Sequence, residues 1–90
     1  MEFEWDEAKN LTNIEKHGVS FEDACKIFEG FTLDVADTRF DYGENRTISI
    51  GELRGVLLLT VVHTDRAGKL RIISARPAKR SERRLSLIHI

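Results

Sequence analysis

The sequence predicts an α+β fold with the element order β-α-α-β-β-β-β-α. Its parts are an antiparallel curved sheet, two N-terminal helices packed on one face, and a short basic C-terminal helix. Three observations carry this expectation. Residues 6–30 place apolar side chains at helical spacing between good capping residues. After Gly30 the pattern changes to the period-two alternation of strands. Two tight-turn tetrapeptides then separate the apolar runs, so consecutive strands must be antiparallel neighbours. At 90 residues the chain suits one domain spanning 1–90.

Each element has a local cause. Glu2 to Trp5 suits a short first strand. Asp6 is a helix N-cap candidate, with Ala8, Leu11 and Ile14 following at near-helical spacing. That helix should stop at His17, because Gly18 suits the left-handed position after a helix end. Ser20 caps the next helix and Asp23 stands where a capping-box acid would. Phe21, Ala24, Cys25 and Phe28 form one apolar face, so Cys25 reads as core filler, and Gly30 ends the helix.

Thr32 to Ala36 should be a strand and Arg39 to Gly43 a loop. Arg46 to Gly51 alternates, with Ile48 and Ile50 opposite Thr47 and Ser49. Glu52-Leu53-Arg54-Gly55 reads as a hairpin turn. Val56 to His63 is apolar on both faces, as a central strand is. Asp65-Arg66-Ala67-Gly68 makes the second hairpin, and Leu70 to Arg76 the last strand. Pro77 lacks a ladder donor, so pairing should stop there, and Ala78 to Leu85 suits a basic helix.

Composition narrows the function classes. Hydrophobic residues are 41% and charged residues 32%, a globular balance. The single cysteine excludes an internal disulfide, in keeping with a reducing, cytoplasmic setting. The acidic N-terminus is no secretory signal, and the longest apolar run, Val56 to Val62, is too short for a membrane helix. The net charge of −1 hides an asymmetry. Residues 1–45 carry four Lys/Arg against twelve Asp/Glu, and residues 46–90 carry ten against three. Such a split points to a nucleic-acid partner, or to two halves that attract each other across one fold.

The histidines His17, His63 and His89 lack metal-ligand spacing, and neither a phosphate-binding glycine loop nor a serine elbow is present. No cofactor is expected. The chemistry lies in arginines at strand and turn ends: Arg46, Arg66, Arg71 and Arg76. Strict alternation puts Arg71 and Arg76 on opposite faces of the last strand, and the small Ser74 and Ala75 leave room beside Arg76. Guanidinium groups bind phosphate through paired hydrogen bonds. Metal-free RNA cleavage needs a base for the 2′-OH, a cation for the dianionic phosphorane and an acid for the leaving 5′-oxygen. Arginine serves the second need, and His17 or Glu44 the others.

Each candidate also has a structural reading. His17 suits a helix C-terminus, Glu44 with Arg46 an exposed cross-strand pair, Arg66 a solvated hairpin tip, and His63 a core or edge position. The run Lys79-Arg80-Ser81-Glu82-Arg83-Arg84 is a solvated helix face or a phosphate-tracking rim. Phe3, Trp5, Phe21, Phe28 and Phe31 look like core, so they do not form a base-stacking platform with that run.

Three segments resemble a known family. Phe3-Glu4-Trp5-Asp6-Glu7-Ala8-Lys9, Asn13-Ile14-Glu15-Lys16-His17-Gly18-Val19-Ser20-Phe21 and Arg71-Ile72-Ile73-Ser74-Ala75-Arg76 are similar to BrnT signatures, and Ser81-Glu82-Arg83 resembles the family's C-terminal Glu-Arg. The likeness spans residues 3–84. It implies a RelE-like fold and a metal-independent endoribonuclease toxin that arrests translation. It also implies a BrnA-like antitoxin that neutralises the toxin, contact with operator DNA only through that complex, and room for a homodimer. Its functional positions fall on Lys16, His17, Glu44, Arg46, Arg66 and Arg76; apart from the resemblance, the phosphate-tracking reading of the basic run adds Lys79, Arg80 and Arg83 as RNA contacts. The alternative is a non-catalytic member of the same fold that binds a partner protein or RNA. The C-terminal Leu85-Ser86-Leu87-Ile88-His89-Ile90 departs from the family, whose members end in an aromatic and acidic residues, and could pack on the sheet, pair with another chain or be disordered.

Overall fold

A computed structural model describes the backbone of residues 1–89 and the side chains of residues 1–84. The side chains of the apolar tail Leu85–Ile90, and the roles considered for it, lie outside the described residues. The element order is β1 (Phe3–Glu4), α1 (Glu7–His17), α2 (Phe21–Cys25) running into a 3-10 turn (Lys26–Glu29), β2 (Thr32–Ala36), β3 (Thr47–Leu53), β4 (Leu57–Arg66), β5 (Lys69–Pro77) and α3 (Arg80–His89).

Local chemistry sets the helix ends as expected. The Asp6 carboxylate accepts from the backbone N–H groups of Ala8 and Lys9, at 2.9 and 3.4 Å. Gly18 takes a φ of 69°, and its N–H donates to the carbonyl of Ile14 at 2.8 Å. The Ser20 hydroxyl caps α2 by accepting from the Asp23 N–H.

The buried face of α1 is not its apolar one. Leu11 and Ile14 are 61% and 41% exposed, whereas Asn10 and Asn13 are buried. The reason is backbone satisfaction. Asn13 donates to the carbonyls of Val19 and Ala75 and accepts from the Ala75 N–H. Asn10 accepts from the N–H of Phe21, where α2 begins, and donates to Glu7 and Glu22. One asparagine therefore ties α1 to β5, and the other sets how α2 follows α1.

The five-stranded sheet has the order β1-β5-β4-β3-β2, with β4 in the centre. Neighbours are antiparallel except β1, which runs parallel to β5 through Phe3↔Leu70 and Glu4↔Arg71. Beyond that short pairing, Asn13 occupies the free backbone edge of β5 at Ala75, where another strand would otherwise dock. Both hairpin turns use left-handed residues, Arg54 and Gly55 in one, Ala67 and Gly68 in the other. Strands β3 and β4 run into the expected turn segments, ending at Leu53 and Arg66.

The core lies between α2 with its 3-10 turn and one face of the sheet. Phe21, Ala24 and Ile27 meet Leu53, Leu59, Val61, Leu70, Ile72 and Ala75. The tightening after Cys25 brings Ile27 into the core and leaves Cys25 and Phe28 at its margin. Gly51 permits this approach, since a Cβ there would stand 3.0 Å from Ile27 Cβ. Burial pushes the Cys25 thiol up to about 11, in keeping with a packing role. Phe31, expected in the core, is 61% exposed at the start of β2.

One irregularity decides where the arginines point. Val62 pairs with Ser74 but His63 with Ile72, so Ile73 is an extra residue in β5. Ile72 and Ala75 consequently face the same core despite their odd spacing. Arg71 and Arg76, expected on opposite faces, share the face away from α2.

Candidate functional site

The sheet face away from α2 is organised in rows across β3, β4 and β5. Ile50, Thr60 and Arg76 form one row, Ile48, Val62 and Ser74 the next, and Thr64 with Arg71 a third. Arg46 enters beside the third row, where the Thr64 hydroxyl donates to the Asn45 carbonyl at 2.6 Å. Arg66 lies further along β4 at the hairpin tip, exposed and opposite Lys69. The face thus carries a central row of small and β-branched side chains between arginines at its two ends.

Arg76 is held more tightly than its neighbours. Its Nη1 and Nη2 donate to the two carboxylate oxygens of Glu82, both at 2.7 Å. Glu82 Oε1 also accepts from the Thr60 hydroxyl at 3.1 Å and from the Lys79 N–H at 2.7 Å. Burial alone would raise the Glu82 carboxyl, but these donors hold it down at about 2. Glu82 therefore does two jobs: it closes the first turn of α3 as a capping-box glutamate does, and it anchors Arg76. Lys79, Arg80 and Arg83 are exposed around this pair.

The loop between β2 and β3 is built around Asp37, whose side chain is fully buried. Arg39 donates to both Asp37 oxygens, through Nε at 2.9 Å and Nη2 at 3.0 Å. The Tyr42 hydroxyl donates to Asp37 at 3.1 Å. Arg39, ahead of Tyr42, holds the Asp37 carboxyl at about 2 against the effect of burial. The Arg46 guanidinium lies 3.9 Å over the Tyr42 ring and donates to Glu44 at 3.0 Å. Glu44 and Arg46 are thus a sequence-local pair in a scaffolded loop.

His17 and Lys16 are exposed at the end of α1. They line an open groove of about 320 Å³ with Asn13 and with Ile73 and Ser74 of β5. The bulged Ile73 forms its floor. His17 therefore flanks the β5 side of the arginine face and Glu44 the β3 side, with β4 between them. His63 belongs to the other face. Its Nε2 lies 2.7 Å from Ser49 Oγ and its ring packs edge-on against Phe28 at 5.2 Å. Burial pushes its imidazole down, against Asp34 and Asp65. It is a core histidine.

Sequence reasoning located the arginines but not what holds them. Glu82 was hidden inside a basic run; its signal is its position at the third residue of α3. Arg71 also has an unforeseen partner, Glu4 at 2.6 Å. The Asp37–Arg39–Tyr42 cluster had only the weak signal of an acid and a base two residues apart. Among the described residues, no group of three His, Cys, Asp or Glu side chains is arranged to hold a metal ion. No helix among them is long and apolar enough to cross a membrane.

An α+β fold with arginines at the ends of one sheet face, whose middle row is buried or half-buried, presents cations suited to gripping a phosphate backbone. Comparison with known proteins gives it a family. Residues 5–82 match the family model described as the ribonuclease toxin BrnT of type II toxin–antitoxin systems. The crystal structure of the Brucella abortus ribonuclease toxin BrnT superposes with a TM-score of 0.71 and 33% sequence identity, covering 89% of this chain and 99% of that one. A search of curated proteins gave no match. The chain belongs to the BrnT family: it is a ribonuclease toxin of the BrnT/BrnA type II toxin–antitoxin system. An RNA substrate and a cognate antitoxin follow from that membership.

Proposed function

We propose that RNA is cleaved on the arginine face, without a metal ion, around Arg76. The observation that carries this reading is the paired 2.7 Å contact of Arg76 with Glu82. It fixes a permanently charged guanidinium, one quarter exposed, beside the small Ser74 at one end of the arginine face. In the reaction the 2′-oxygen bonds to phosphorus while the bond to the 5′-oxygen breaks. The 2′-OH proton leaves to a base, and an acid protonates the departing 5′-oxygen. Arg76 stabilises the charge that builds on the phosphorane oxygens. Arg46 and Arg66 grip the flanking phosphates. His17 and Glu44 stand on opposite flanks of the face, which suits two separate proton-transfer roles. Lys16, Lys79, Arg80 and Arg83 track the strand on either side.

A BrnA-like antitoxin covers this face in the neutralised complex, and operator DNA is met only through that complex. The toxin acts in the cytoplasm, and a homodimer is compatible with the arrangement.

The test is RNA cleavage and growth arrest by wild type and Arg76→Ala at matched levels of folded protein. Rate should fall about 10²- to 10³-fold in the variant, with its thermal unfolding kept cooperative. Cleavage by wild type should persist in excess EDTA. An unfolded Arg76→Ala protein would make Arg76 structural, and magnesium-dependent rescue after EDTA would overturn the metal-free chemistry. A folded wild type that binds but never cleaves would favour the non-catalytic module.

A further inference from the structure

The loop between β2 and β3 presents a feature that RNA cleavage as described leaves unused. Phe40 is 69% exposed at its tip. It does not stand alone: its ring meets Tyr42 at 5.8 Å and 73°, edge to face, and Tyr42 in turn carries Arg46 on its face. The loop holding Phe40 is rigidly scaffolded. Asp37 is locked by Arg39 and Tyr42, its N–H donates to the Arg46 carbonyl at 2.8 Å, and Asp41 accepts from the Gly43 N–H. The loop's acids are therefore engaged within it, Glu44 by Arg46 included. The Asp37 carboxylate, buried beneath the loop, thus fixes the backbone that carries Phe40 at its tip. Beside Phe40, across Tyr42, lies the charged end of Arg46, at the rim of the arginine face.

We propose that Phe40 is a nucleobase-stacking residue: a base of single-stranded RNA, next to the phosphate gripped at Arg46, lies on its exposed ring. A ring with an adjacent guanidinium is what single-stranded RNA recognition needs, the ring for the base and the cation for the backbone. A protein partner docking on an apolar patch would need a wider one. Here the chain neighbours of Phe40, Arg39 and Asp41, and its edge partner Tyr42 are all polar. The inference rests on the arginine face being the RNA-binding face. Tyr42, one side of its ring already covered by Arg46, positions Phe40 from the edge.

The experiment measures binding of a short 2′-O-methyl RNA, which cannot be cleaved, to wild type, Phe40→Ala and Phe40→Trp. Parallel oligonucleotides carry an abasic sugar at each position in turn. Phe40→Ala should bind about 5- to 100-fold more weakly. One abasic position should erase the difference between wild type and Phe40→Ala. Phe40→Trp should bind like wild type, its added emission above that of Trp5 quenched by RNA. Wild-type affinity in Phe40→Ala overturns the proposal, as does a loss that persists at every abasic position. So does a defect confined to antitoxin binding, which would make Phe40 a protein contact. Cleavage of unmodified RNA by wild type and Arg76→Ala, run alongside, reads the catalytic assignment separately. Equal cleavage by the two would refute that assignment and leave the stacking result standing. A wild type that does not bind RNA overturns both.

Discussion

Glu82→Gln separates the charge of the Arg76 anchor from its shape. The amide can still accept from the Lys79 N–H and the Thr60 hydroxyl, but its NH2 end opposes a guanidinium N–H. The Glu82 carboxyl is held at about 2, against an ordinary value of 4.5. At roughly 1.4 kcal/mol per pH unit, that depression corresponds to about 3 kcal/mol of folding stability near neutrality. Only 17% of the side chain is exposed, so solvent screening trims this figure modestly. A folded pKa below the unfolded one means that the stabilisation is complete above about 4.5 and drains away as the pH falls towards 2. Urea unfolding of wild type and Glu82→Gln at several pH values between 7 and 2.5 measures it directly. The variant should be about 2–3 kcal/mol less stable at pH 7, with the gap narrowing steadily below pH 4.5. Asp37, also held at about 2, titrates in the same range in both proteins and cancels in the comparison. A gap that stays constant down to pH 2.5, or one under about 0.5 kcal/mol at pH 7, would refute the claim that Arg76 is anchored by an ionised Glu82.

Two further substitutions test the frame beneath the site. Asn13→Ala strands the carbonyls of Val19 and Ala75 and the Ala75 N–H, and should cost about 3 kcal/mol with faster hydrogen exchange at Ala75. A cost below about 1 kcal/mol would mean that water replaces the amide without penalty. Ala67→Gly relieves a side chain held at a φ of 53° in the β4–β5 turn and should raise stability by about 0.5–1 kcal/mol, whereas an unchanged or lower unfolding midpoint would contradict the left-handed turn.

What the sequence made legible is what local chemistry decides. Asp6, Gly18 and Ser20 act within one turn of where they stand, and the hairpin glycines act within their own tetrapeptides. The bounds of α1 followed from them, β2 from the change to period-two alternation, and the centrality of β4 from a run apolar on both faces. What stayed hidden depends on distant partners. Leu11 and Ile14 advertise the wrong face of α1, because Asn10 and Asn13 are buried to satisfy backbone groups that only the folded chain brings near. The parallel edge strand β1 rests on Leu70, far along the chain. The bulge at Ile73 has no signature in Arg71-Ile72-Ile73-Ser74-Ala75-Arg76, yet it turns Arg71 onto the face of Arg76. Among the site residues, the arginines were readable by type and position. Glu82 and Phe40 were not, because each owes its role to a neighbour in space.

The charge asymmetry of the chain now has a physical content that joins its two readings. The acidic half does meet the basic half: Glu4 pairs with Arg71, Glu2 with Lys69 and Asp23 with Arg54. Attraction between the halves is therefore part of how the face is built. Arg76 differs, since its carboxylate, Glu82, comes from the basic half itself and from the helix that follows it. The Arg46–Glu44 pair rests on one hydrogen bond, through Nε, so a phosphate can share or displace the carboxylate. The pair at Arg76 is bidentate and its carboxylate is braced by Thr60 and Lys79, so Glu82 stays and orients the guanidinium's remaining N–H groups. An arginine held by a partner that does not leave loses little freedom when the phosphorane forms, which is the condition under which a fixed charge accelerates a reaction. Arg46 and Arg76, at opposite ends of the face, thus divide the work that a ribonuclease face requires, reversible grip at one end and permanent orientation at the other.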